Sequence, residues 1–151
     1  MKKAAIADMT VTILSMLFII LFVYAAGSKL TEFDQFRAQI GQSPLLTSWG
    51  GVVIWLIPLL EFGICLLLAI ARWRLVGLYA FFTLMVMFSA YIVAINWFSS
   101  YVPCSCGGVL SEMNWNQHLV FNLAFVVVSA LAIMLQKEEQ QPNKKSITQF
   151  T

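Results

Sequence analysis

The sequence predicts an all-α fold, a bundle of four transmembrane helices with both termini cytoplasmic and a short amphipathic helix on the outer face. Three observations carry that expectation. Of 151 residues, 60% are apolar and 11% charged, far from the roughly 25% charge and 45–50% apolar content of a soluble domain. Four apolar segments, about 9–27, 52–71, 75–99 and 115–135, are each long enough to cross a hydrocarbon core of roughly 30 Å as a helix. None shows strand alternation, and lipid offers no partners for backbone amides, so the helical solution is expected over a barrel. Residues 1–135 read as the membrane domain and 136–151 as a polar cytoplasmic tail.

In the first segment, Lys2 and Lys3 precede an apolar run ending at Tyr24-Ala25-Ala26-Gly27, which imitates a secretory signal and its small-residue cleavage site. The length of the run, and Asp8 within the supposed n-region, favour an uncleaved anchor. Basic residues orient the bundle. Lys2 and Lys3 lie before the first span, Arg72 and Arg74 in the turn between the second and third, and Lys137, Lys144 and Lys145 after the fourth. All three clusters fall on one face, which the positive-inside rule makes cytoplasmic.

The opposite face then receives residues 28–51, where Lys29, Glu32, Asp34 and Arg37 nearly balance. Phe33, Phe36 and Ile40 have helical spacing there, which predicts an amphipathic helix lying along the outer surface and bracing the first span against the second. Gly41 and Pro44 should end it, and Trp49 should mark the return at interface depth.

The second span carries the most costly residue. Glu61 lies about nine residues below Val52, roughly 13 Å at ~1.5 Å per residue, near the bilayer midplane. A lone carboxylate is expensive there, so it should be protonated, paired, or both. Pro58 and Cys65 lie one turn to either side on the same stripe, and the proline frees a carbonyl near Ile54. Two readings stand for Glu61: an assembly contact across the bundle, or a proton or quinone role. Cys65 reads as a small core residue.

Polar stripes on the later spans point the same way. Ser89, Asn96 and Ser100 recur on the third, and His118, Asn122 and Ser129 on the fourth with Phe125 between. Turned inward, Glu61, Asn96, Asn122 and His118 would line a polar-bottomed cleft suited to a quinone head group or a water chain. The same groups also serve as interhelical glue worth roughly 1 kcal/mol each. Phe81, Phe82, Met85, Met87 and Phe88 are expected in packing and lipid contact.

Cys104 and Cys106 lie between the third and fourth spans, in Pro103-Cys104-Ser105-Cys106-Gly107-Gly108. With the assigned orientation they face the periplasm, where disulfides persist. A bridge across one intervening residue is strained and readily reduced, which suits transfer better than stapling; a loop clip is the plainer alternative. A metal held by Cys104, Cys106 and His118 matches no usual zinc spacing and lacks a fourth ligand. The imidazole of His118 suits deprotonating a thiol.

Together, Ala26-Gly27-Ser28-Lys29-Leu30 with Phe33 and Phe36, Pro58-Leu59-Leu60-Glu61, and the cysteine loop resemble the MauE/DoxX family of small four-helix membrane proteins, over nearly all of the chain to about Leu135. They resemble its Gly-x-x-Lys segment, here shortened by one residue to Gly27-Ser28-Lys29, and its Pro-x-x-Glu and Cys-x-Cys segments, with Gly107 standing where the family often has an aromatic residue. The resemblance implies a redox-associated inner-membrane protein. Its methylamine-utilisation branch is associated with maturation of a disulfide-rich periplasmic enzyme, and its DoxX branch with quinone-linked sulfur oxidation.

Two functions follow as expectations. One is a thiol–disulfide redox protein of the bacterial inner membrane, exchanging electrons with a periplasmic dithiol protein and a quinone, with Cys104 and Cys106 in exchange, His118 handling protons, and Glu61, Asn96 and Asn122 at the carrier site. The other is a non-catalytic subunit that stabilises a larger envelope complex. No P-loop, Rossmann glycine pattern, haem motif or nucleic-acid surface is present in the sequence.

Overall fold

The computed structural model describes the backbone of residues 2–42, 49–98 and 115–148, and side chains within 5–38, 40–41, 49–97 and 115–137. Five helices and no strand occur among the described residues: α1 (Lys2–Thr31), α2 (Phe33–Gln42), α3 (Gly50–Ala69), α4 (Arg74–Phe98) and α5 (Trp115–Thr148). Four contain stretches long and apolar enough to cross a membrane: Ala5–Thr31, Gly50–Ala69, Arg74–Trp97 and Trp115–Lys137. Their outward faces are apolar, with Leu59 71% and Val120 68% exposed, as residues meeting lipid would be.

The helices form a ring in which α1 packs on α3 and α5, and α4 completes the ring between α3 and α5. Cross-links give the directions. Lys29 meets Glu61 near one end, while deeper in the bundle the Cys65 thiol donates to the Ile19 carbonyl, so α1 and α3 are antiparallel. At the other end, Arg74 opens α4 beside Asp8 and Thr12 of α1, and Lys137 of α5 lies over the Tyr79 ring of α4. Arg74 and Lys137, from two of the basic clusters, thus share one end of the bundle, and Lys29 and α2 belong to the opposite end.

The core is aromatic at mid-height. Phe81 stacks on Phe18 with ring centroids 4.2 Å apart and tilts against Phe22 at 4.4 Å, while Phe125 meets Phe18 edge-on at 6.1 Å. At the α3–α4 turn the helices approach so closely that a Cβ on Gly77 would lie 2.9 Å from the Leu68 backbone nitrogen. Only a residue without a side chain fits that crossing.

One expectation changes. The first span does not end at Gly27, because α1 continues through Lys29 to Thr31; one glycine costs a helix only about 1 kcal/mol, and the buried partner of Lys29 lies within reach. Lys29 therefore belongs to the bundle interior and not to the balanced surface segment. The helix α5 runs on through residues 136–148, which make up most of the polar tail. The amphipathic helix forms as its spacing predicts: Phe36 and Ile40 are buried against Ile54, with Phe33 beside them and 5.2 Å from the Trp55 ring. It closes onto the first turns of α3.

Candidate functional site

The site begins with a stripe on α3. Gly50, Ile54, Pro58, Glu61, Cys65 and Leu68 are buried, at intervals of four and three residues that keep them on one face. An apolar stripe would pack without consequence, but here a glutamate with 0% exposure takes one of its places. A carboxylate so buried persists only with a partner.

That partner comes from α1. Val11, Ser15, Phe18, Phe22 and Ala26 are its buried residues, and the same spacing carried one step further reaches Lys29. The ammonium lies 2.7 Å from Glu61 Oε1, with 21% of the lysine side chain exposed. It also donates to the Ala25 carbonyl at 3.2 Å, so the chain folds back along its own helix. A lysine near a helix end ordinarily extends toward the interface. This one turns inward, over the Phe88 ring at 5.8 Å, which adds a cation–π attraction.

The pair satisfies only one side of the carboxylate. Oε2 of Glu61 is fully buried and has no hydrogen-bond partner among the described residues. The deeper thiol of Cys65, aimed at the Ile19 carbonyl 3.7 Å away, is sequestered between α1 and α3.

On α5, His118, Asn122, Phe125 and Ser129 form the expected stripe. Asn122 is 4% exposed and Ser129 is buried, its hydroxyl donating to the Val126 carbonyl at 2.9 Å. His118 is half-buried near the start of the helix. On α4, Ser89 is buried and donates to the Met85 carbonyl at 2.8 Å, while Asn96 is half-buried nearer the helix end.

The predicted residues therefore meet in part. Glu61 meets Lys29, which sequence reasoning placed outside the bundle. Asn122 faces the interior. The side-chain hydrogen bond to Glu61 comes from Lys29, and neither Asn96 nor Asn122 supplies one. Cys104 and Cys106 lie outside the described residues, as does Ser100. They fall in sequence between the end of α4 at Phe98 and the start of α5 at Trp115. The signal for Lys29 was available in its register: it continues the buried face of α1.

Chemically, the arrangement is a net-neutral acid–base pair beside an aromatic ring, with one acceptor oxygen that has no partner among the described residues. It holds an ionisable group inside an apolar bundle without leaving an isolated charge there. No curated protein and no solved structure matches the chain. The model of one family, described as methylamine utilisation protein MauE, matches residues 7–135, a stretch that includes Lys29, Glu61, His118 and both cysteines of the loop, and the chain belongs to the MauE family.

Proposed function

We propose that this protein is a thiol–disulfide redox protein of the bacterial inner membrane, serving methylamine utilisation as its family's name describes. Residues 1–135 form the membrane domain and 136–151 the cytoplasmic tail; both termini are cytoplasmic, and α2 and the cysteine segment are periplasmic. The observation that carries this reading is the Lys29–Glu61 pair, with Oε2 of Glu61 buried and unpartnered. A proton-competent group inside the bundle serves redox chemistry, which must move protons with electrons. The pair stands toward the end where α4 and α5 are joined by the segment containing Cys104 and Cys106.

In the forward direction, a thiolate of the periplasmic partner attacks the Cys104–Cys106 disulfide, forming a mixed disulfide and releasing one cysteine as thiolate. The partner's second thiolate resolves the mixed disulfide. The partner leaves with a disulfide, and both loop cysteines are reduced. Their reoxidation passes two electrons and two protons to a quinone, which becomes a quinol. His118 takes and returns the thiol protons, Glu61 exchanges protons at the carrier, and Asn96 and Asn122 contribute to the polar wall around it.

Thiol trapping in intact cells, followed by mass spectrometry, tests the exchange. A reversible Cys104–Cys106 pair is expected, with Cys65 unmodified. Cys106→Ser or Cys104→Ser should accumulate a mixed disulfide whose other half identifies the partner. If the double serine variant matures that partner like wild type, exchange is excluded.

A second reading has its own observation, since the same ion pair ties α1 to α3. On that reading the chain is a subunit of an envelope complex, and the pair is an assembly clamp. A reconstituted exchange assay distinguishes the two: a structural subunit shows no turnover even as wild type, whereas an exchange protein turns over and loses that turnover in Glu61→Gln while accumulating normally.

A further inference from the structure

The unsatisfied oxygen of Glu61 specifies the chemistry of what would occupy it. Oε2 is fully buried and without a partner among the described residues, while Oε1 is held at 2.7 Å by Lys29. A buried carboxylate oxygen is stabilised by a donor, so the missing group carries an O–H or N–H. The pair is already neutral as a whole, and an added anion or cation would leave an uncompensated charge inside the bundle; the occupant is therefore neutral. It must also reach the interior of a membrane span, which favours a lipid-soluble molecule. Lys29, 21% exposed along its side chain, marks the way in, and its ammonium lies over the half-buried ring of Phe88, an aromatic surface against which another ring would pack.

We infer that Lys29 and Glu61 form a head-group subsite selective for the reduced, hydroxyl-bearing form of a quinone. The quinol hydroxyl donates to Glu61 Oε2, while the Lys29 ammonium stays on Oε1. A quinone has carbonyl acceptors only and leaves Oε2 unsatisfied. This inference rests on the redox reading above and adds a direction to it. Quinone plus two electrons and two protons gives quinol, so tighter binding of the quinol raises the potential of the bound couple, by about 30 mV for each tenfold difference in affinity. The bound quinone thereby becomes the stronger oxidant of a dithiol.

The test is calorimetric titration of the full chain in lipid nanodiscs, without oxygen, using a short-chain 1,4-benzoquinol, the matching quinone, and the dimethyl ether of the quinol. Wild type is expected to bind the quinol at least tenfold more tightly than either of the others. The Lys29→Met/Glu61→Leu double variant, which removes both charges and the carboxylate acceptors and so buries no lone ion, should remain folded by circular dichroism and bring the three affinities within about threefold. Equal binding of quinol and quinone by wild type, absence of saturable quinol binding, or a preference that survives in the double variant overturns the inference; the second outcome would assign the free oxygen to water. Disulfide trapping separates the two proposals. Quinol selectivity without cysteine cycling removes the exchange reading and keeps the subsite, while cycling without selectivity does the reverse.

Discussion

Lys29 points the opposite way from most lysines near the end of a membrane helix, and the reason lies on the neighbouring helix. Glu61 is 0% exposed, and removing one member of a buried ion pair typically costs about 3–5 kcal/mol because the other charge is left alone. Lys29→Met is therefore expected to lower stability by about that amount in bicelle unfolding experiments, and Glu61→Leu by a similar amount. Glu61→Gln should lose less, since its amide oxygen still accepts from the lysine. In a double-mutant cycle, the Lys29→Met/Glu61→Leu protein should be more stable than the sum of the single losses predicts. Strict additivity would show that the 2.7 Å contact contributes no coupling.

Among the elements, the α3–α4 turn and α2 are held by different means. The turn depends on Gly77, whose absent Cβ lets α4 approach the Leu68 backbone nitrogen. Gly77→Ala should cost about 1–3 kcal/mol, the usual range for overpacking, because the obstructing atom is backbone and cannot rotate aside. Gly63, with nothing within 4 Å of its would-be Cβ, provides the contrast: Gly63→Ala should be neutral or stabilising by up to about 1 kcal/mol. Equal unfolding midpoints for the two variants would remove the steric argument. The α2 helix rests on Phe36, Ile40 and Ile54, a small apolar contact. Ile40→Ser should increase amide exchange in residues 33–42 while leaving exchange in α4 unchanged; slowed or unaltered exchange in α2 would show that it is held by something else.

For the whole molecule, Arg74 beside Asp8 and Lys137 over Tyr79 place basic residues from separate clusters at one end, and the Lys29–Glu61 pair lies toward the other. Charge bias predicts the first end to be cytoplasmic. Reporter fusions after Arg74 and after Gly108 should therefore report inside and outside respectively; the same side for both would overturn the assigned topology and with it the periplasmic setting for the cysteines. An even number of spans places the two chain ends on one side, but which side depends on the excess of lysine and arginine. Lys29 contributes nothing to that excess, since its charge is committed to Glu61 within the bundle.

Composition and periodicity by themselves determined the four spans, the amphipathic α2 and the inward stripes of α3 and α5, because each follows from local rules: apolar length, and intervals of three and four residues on one helix. The cost of Glu61 was equally legible, since depth in a span follows from counting residues. Its partner was not. Lys29 precedes Glu61 by 32 positions, and a lysine at that distance can equally serve a surface segment; the choice depends on how far α1 continues and on how α1 rotates against α3. Tertiary structure alone decided that Glu61 is paired through Oε1 and has no partner at Oε2 among the described residues, and that neither Asn96 nor Asn122 hydrogen-bonds the carboxylate. Those outcomes depend on the relative rotation and depth of separate helices, which packing across the whole bundle sets and no single segment encodes.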